Sequence, residues 1–285
     1  MKQIAVISGK GGTGKTVITG ALCALAKNHV MVDCDVDAAD LHLLLQPKIK
    51  EKHLFKSGKS ALIDSTKCSE CGKCIEICRF DAVNKDFIVD DISCEGCSFC
   101  SYICPEKAIE MKEKTCGEWY ISDTRYGKMV HAALGIAEEN SGKLVTLVRT
   151  RAKEIAEKKE NDFVIIDGPP GIGCPVIACI GGVDIALVVT EPTMSGFHDA
   201  QRVIDVTRHF NVPVKLIVNK YDLNTDMTKE IENNARKRGV EVIGKIAFDK
   251  SVVEAVSRGK TIIEYADGKT KKEIVGIWKK LQKIK

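Results

Sequence analysis

The chain has 285 residues, 44% hydrophobic and 29% charged, with a formal net charge of +4. That length suits one large domain or two small ones, the composition is that of a globular protein, and the charge is too mild to point to nucleic acid. No apolar run reaches the ~18 residues of a membrane-spanning helix, and the stretch Ile4–Ile7 is too short for a signal-peptide core.

In chain order, QIAVI is a short apolar strand that runs into the glycine loop SGKGGTGKT. A helix opens near Lys15 and carries Ile18, Leu22, Leu25 and Ala26 on one side. HVMVDCD is a second strand that ends among Asp33, Asp35 and Asp37. The pattern breaks near Asp64, and residues 65–113 are cysteine-rich with short elements. Residues 114–140 read as a hairpin region, closed by a turn at Asn140–Gly142. LVTLVRT then reads as a strand and AKEIAEKKE as a solvated helix. FVIIDGPPG, IALVVTEPT, VKLIVNKYD and VEVIGKIAFD follow as strands, with a helix at 226–238 and helical segments at the C-terminus. Aliphatic strands alternating with helices imply an α/β fold, with a mostly parallel sheet covered by helices on both faces.

Gly9, Gly14, Lys15 and Thr16 fit the phosphate-loop pattern G-x-x-x-x-G-K-(S/T), after a strand and before a helix as that motif requires. Residues Gly9, Lys10, Gly11, Gly12, Thr13, Gly14, Lys15 and Thr16 would wrap phosphates with inward amides. Lys15 would reach the β- and γ-phosphates, and the Thr16 hydroxyl would ligate Mg²⁺. Asp167, ending the apolar run FVIID, stands at the Walker B position and would hold a magnesium-bound water. Gly168–Gly173 follows as a candidate switch segment.

The loop KGGTGKT carries a second lysine, Lys10, and so resembles the deviant Walker A motif of MinD/Mrp/ParA-type P-loop ATPases, a class that includes the nitrogenase iron protein. The resemblance covers roughly residues 1–60 and 140–265. It implies ATP and Mg²⁺ as ligands, ATP hydrolysis and an ATP-dependent homodimer, with Lys10 crossing the interface to the other subunit's nucleotide. It also implies that an aspartate of VDCDVD orients the attacking water; Asp35 and Asp37 both remain open, while Asp33 caps or pairs locally. Asn219 in IVNK and Phe248 in IAFD correspond to base-side contacts.

Of 13 cysteines, eight fall between Cys68 and Cys104. Beside a nucleotide loop, such clustering points to metal rather than disulfides, and the chain reads as cytoplasmic. Cys68, Cys71, Cys74 and Cys78 read C-x₂-C-x₂-C-x₃-C; Cys94, Cys97, Cys100 and Cys104 repeat it before Pro105, while Arg79 stands where the first repeat would have proline. Zinc needs only one tetrahedral set. The doubled spacing resembles a bacterial-type ferredoxin with two [4Fe-4S] clusters, in which the fourth cysteine of each repeat serves the other cluster. The ligand sets would then be Cys68, Cys71, Cys74 and Cys104, and Cys94, Cys97, Cys100 and Cys78. Metal would supply much of the folding energy of so small an insert. The expected domains are an ATPase part at 1–60, an inserted ferredoxin-like α+β domain at 61–113, and the rest of the ATPase at 114–285.

Cys23 and Cys34 read as packing residues. Cys174, seven residues after Asp167, resembles a cluster-binding cysteine of the nitrogenase iron protein, but without a clear second one. The C-terminal EIVGIWKKLQKIK sets Ile274, Ile277, Trp278, Leu281 and Ile284 on one face. A helix docked on the sheet is favoured over the membrane helix of MinD proteins. Together these readings favour a dimerising ATPase that couples its nucleotide cycle to electron transfer. The alternatives are an iron–sulfur carrier or scaffold and a redox-sensing positional regulator. Stably held ferredoxin-type clusters, and no C-terminal C-x-x-C, lean toward electrons.

Overall fold

The structure, a computed structural model, describes residues 1–135 and 141–284. In chain order the elements begin with β1 (Lys2–Ser8), α1 (Lys15–Leu25), β2 (His29–Asp33), α2 (Leu41–Leu45) and β3 (Lys48–Ile63). Next come α3 (Lys73–Ile77), α4 (Phe99–Ile103), β4 (Ile109–Thr124), β5 (Gly127–Leu134) and α5 (Ser141–Lys158). β6 (Phe163–Pro170), α6 (Cys174–Ile180), β7 (Ile185–Thr190), α7 (Met194–His209) and β8 (Val214–Asn219) follow. The chain closes with α8 (Thr225–Lys237), β9 (Glu241–Ile246), α9 (Lys250–Ser257), α10 (Ile262–Tyr265) and α11 (Lys269–Lys283).

Two compact units divide the chain. One comprises Met1–His53, Trp119–Ala133 and the residues from Ser141 on; the other comprises Leu54–Glu118 and the described residues from Leu134. In the larger unit, β2, β6, β1, β7, β8 and β9 lie side by side in that order, with β5 beyond β2, and every one of these pairs is parallel. Alternation along each strand splits its side chains between two faces. Ile4, Val6, Met31, Ile165, Leu187 and Ile217 face a core closed by Ile18 and Leu22 of α1 and by Ile274, Ile277, Trp278 and Leu281 of α11. Helices α5, α6 and α7 pack on β2, β6 and β7. The α/β fold with a mostly parallel, helix-covered sheet is thus present, and the C-terminal helix is docked with its apolar face buried. Among the described residues no helix is long and apolar enough to cross a membrane.

Two expectations need correction. LVTLVRT is not a strand: it forms the first half of α5, continuous with AKEIAEKKE. Its buried residues, Leu144, Val145, Val148, Ala152 and Ala156, trace a helical stripe. A short apolar run is ambiguous between strand and helix until the spacing beyond it is weighed. The hairpin region starts earlier than residue 114, because β4 begins at Ile109 and meets β5 through Arg125–Tyr126. The proposed turn at Asn140–Gly142 falls partly outside the described residues. The two compact units divide near residues 53 and 119, within the 16-residue strands β3 and β4.

The smaller unit is built on a repeat. In both halves the residue before the helix is left-handed, Gly72 (φ 75°) before α3 and Ser98 (φ 69°) before α4. The third cysteine is then the second helical residue and the fourth is the C-cap, Cys78 or Cys104. Helices α3 and α4 pack on each other. The unit's core cluster is small: Ala61, Cys74, Val83 and Ile109 are buried, rimmed by partly buried Ile63, Phe87, Val89 and Met111.

Candidate functional site

The parallel strands aim their carboxyl ends at one edge of the larger unit, where the loops after β1, β2, β7, β8 and β9 gather, the crevice used by open α/β sheets. Gly14, at φ 89°, caps α1, and a side chain there would strike the Asn219 amide. The loop is braced from β8: Asn219 Nδ2 donates to the Thr13 carbonyl at 2.7 Å and Lys220 Nζ to that of Gly12 at 3.1 Å.

Lys15 is 6% exposed and lies among three carboxylates. Its Nζ is 3.3 Å from Asp35 Oδ2 and 3.6 Å from Asp167 Oδ1. Burial works against the ammonium, yet Asp167, Asp35 and Asp33 outweigh it and hold the Lys15 pKa above its ordinary value. Asp167 Oδ1 also accepts from Thr19 Oγ1 at 2.8 Å, while its Oδ2 is buried and has no partner among the described residues, as is Thr13 Oγ1. Asp33 pairs in register with Asp167 across β2 and β6, and its carboxylate accepts the Asp35 and Leu41 amides. Burial, with the Asp167 charge added, pushes the Asp33 pKa well up. Burial also raises that of Asp35 despite Lys15, whereas Asp37 stands exposed in the loop. Gly168 is required by a close approach: a Cβ there would sit 2.6 Å from Ile7 Cγ2 and 2.8 Å from Cys179 Sγ.

Within the single chain, Lys10 folds onto the segment after β7. Its Nζ lies 2.8 Å from Glu191 Oε1 and donates to Ser195 Oγ at 3.0 Å and Thr193 Oγ1 at 3.3 Å. The second Glu191 oxygen takes Lys220 Nζ at 3.0 Å. Burial alone would raise the Glu191 pKa; the two lysines reverse that and hold it low. Glu191, Thr19 and Lys220 escaped the reading of the sequence, although Glu191 and Lys220 do directly follow aliphatic strands at the crevice.

A cavity of about 240 Å³ opens beside Gly14, lined by Val17, Ile18, Asn219, Phe248, Val252 and Ile274 among others. Phe248 is 44% exposed there and not core packing. Its amide donates to Asp222 Oδ1 at 2.7 Å. The flat, apolar walls suit a purine ring.

In the smaller unit, Cys68, Cys71, Cys74 and Cys104 line one hollow, and Cys78, Cys94, Cys97 and Cys100 line another. Each helix carries its fourth cysteine to the other repeat's hollow. None of the eight is in a disulfide. Backbone amides point at three of the sulfurs: Glu70 at Cys68 (3.4 Å), Ala82 at Cys78 (3.4 Å) and Ala108 at Cys104 (3.3 Å). Among the described residues no three His, Cys, Asp or Glu side chains close on a point fit for one metal ion. That geometry concerns a single ion; a cubane's thiolates each hold a different iron and stand further apart. Cys23 and Cys34 are fully buried, and Cys174 is exposed as the first residue of α6.

Residues 4–262 match the family described as the CobQ/CobB/MinD/ParA nucleotide binding domain. The chain is 37% identical over 227 residues to an uncharacterized protein of Methanocaldococcus jannaschii, covering 78% of this chain and 79% of that one. It is 25% identical to an iron-sulfur cluster carrier protein of Pyrococcus horikoshii, covering 98% and 85%. Among solved structures, the septum site-determining protein MinD complexed with Mg-ADP from Pyrococcus horikoshii shares the fold at TM-score 0.62 and 17% identity, covering 99% of this chain and 96% of that one.

Proposed function

The chain belongs to the CobQ/CobB/MinD/ParA nucleotide-binding family and is a nucleotide-hydrolysing P-loop ATPase; on that premise we propose that ATP draws two copies together and that this cycle governs electron transfer through two [4Fe-4S] clusters. Within the proposal, Lys15 neutralises the β- and γ-phosphates, and Thr16 with the unpartnered Asp167 Oδ2 positions Mg²⁺. Held there, the ion would supply Lewis-acid stabilisation of the charge that develops in phosphoryl transfer. Asp35, beside Lys15 and partly buried, orients the attacking water in preference to exposed Asp37. Asn219 and Phe248 border the base cavity. Lys10 serves the partner's nucleotide, and so it must first leave Glu191.

One observation carries the redox half: the eight cysteines line two hollows in the crossed sets that a dicluster ferredoxin-like insert requires. Thiols free of disulfides and amides directed at the sulfurs fit such groups, which supply one-electron chemistry when bound. Anaerobic reconstitution tests this. The full chain should take up about eight iron atoms and, once reduced, show the EPR of two interacting clusters; uptake of one or two metal ions would contradict it. The similarity to an iron-sulfur cluster carrier favours a second reading, cluster delivery. Transfer of iron and sulfide to an apo-protein acceptor, with matching loss of absorbance here, would select it.

A further inference from the structure

The two hollows differ at their rims. The apolar residues lining the first, Ile63, Phe87, Ala108 and Ile109, are buried or half-buried. The second has buried lining residues too, such as Ala61 and Val83, but adds Ile77, Phe80 and Phe99, which are 38%, 45% and 62% exposed. Phe99 opens α4, a helix that buries no residue. Tyr102 and Ile103 follow on its same face, three and four residues on, at 92% and 39% exposure. Three large exposed apolar side chains thus line one hollow only, and Tyr102 and Ile103 extend them along the face of α4, which marks an interaction surface.

Charge selects what covers it. Residues 54–118 hold nine Lys and Arg against twelve Asp and Glu, a net −3, although the whole chain is +4. Clusters bound by thiolates would add negative charge. A second copy of this acidic unit, or an anionic lipid surface, would be repelled; a basic protein surface would be drawn in. We propose that the rim formed by Ile77, Phe80, Phe99, Tyr102 and Ile103 is the docking face for a redox protein with a basic surface, and that the hollow of Cys78, Cys94, Cys97 and Cys100 is the port for electrons. The proposal rests on the two-cluster reading. At the port one electron passes between a cluster and the partner's one-electron centre; one is oxidised, the other reduced, and no bond or proton moves.

Oxidised cytochrome c, a basic haem protein, serves as the probe, and ferricyanide as a small oxidant that needs no docking face. The reconstituted, reduced full chain is compared with a Phe99→Ser, Tyr102→Ser variant and with Tyr102→Ser alone, whose side chain supports no packing. The rate to cytochrome c should fall roughly tenfold or more in the double variant, and less in the single one, with iron content, EPR and the ferricyanide rate unchanged. The wild-type rate should also drop as salt rises. Unchanged transfer to cytochrome c in either variant, or equal slowing with both oxidants, would overturn the proposal. So would wild-type self-association abolished by Tyr102→Ser, which would make the face an interface between copies. A chain that cannot be loaded with about eight irons would instead overturn the cluster reading itself.

Discussion

The two units of this chain are held together by different forces. The ATPase unit wraps a continuous aliphatic sheet in helices, and residues such as Ile4, Leu22, Met31, Ile165 and Leu281 are wholly buried. The core cluster of the cysteine unit holds four buried apolar residues, one of them a cysteine, and is edged by thiols of its two hollows. On the two-cluster proposal, ligand bonds supply part of the folding energy of a unit with so small a core. One unit folds by removing oil from water; the other, on that proposal, folds around what it binds.

The sharpest way to break this contrast is to remove a ligand. Cys94→Ser should abolish cluster loading and leave Leu54–Glu118 open to limited proteolysis, while the ATPase unit keeps its circular dichroism and nucleotide binding. Collapse of both units together would deny the division. Next in size is Lys10→Ala. It should reduce ATP hydrolysis by about 10²-fold or more and abolish ATP-dependent dimerisation in sedimentation experiments, with nucleotide affinity and iron content nearly intact. Normal turnover in that variant would show that the Lys10 contact with Glu191 is only structural.

Ile165→Ala should destabilise the ATPase unit by about 2–5 kcal/mol in urea unfolding and leave iron content untouched. The smallest effect is acidic. Burial holds His29 and His131 down at about 4, with the His42 charge adding to the effect on His131. Unfolded, each would titrate near 6.5, so the unfolded state binds the extra protons between those values. Stability of the ATPase unit should therefore be complete above pH 6.5 and fall on the way to pH 4, by at most about 3 kcal/mol per imidazole. All six histidines lie in that unit, so the cysteine unit should not share the response. His29→Leu, which removes two buried nitrogens without described partners, should remove about half of it and leave the His131 part.

The same contrast explains what could be read from residues alone. Strand-ending runs such as QIAVI and FVIID announce a parallel sheet because burial on both faces leaves no room for polar residues. The cysteine spacing was equally plain, since ligand geometry is local. The long strands β3 and β4 were not, because KIKEKHLFKSGK is almost wholly exposed and carries no apolar alternation. Helix α5 was misread where LVTLV looked extended and only the alanines further on reveal the helical stripe. The Lys10–Glu191 pair joins residues 181 apart along the sequence, and no local pattern signals it.

The central claim is that the nucleotide cycle acts on the redox centres. Its most direct test is an EPR-monitored redox titration of the reconstituted full chain, with and without Mg-ATP. The account predicts a nucleotide-dependent shift in midpoint potential that disappears in Lys10→Ala. An identical midpoint in both conditions, in protein that hydrolyses ATP normally, would contradict it.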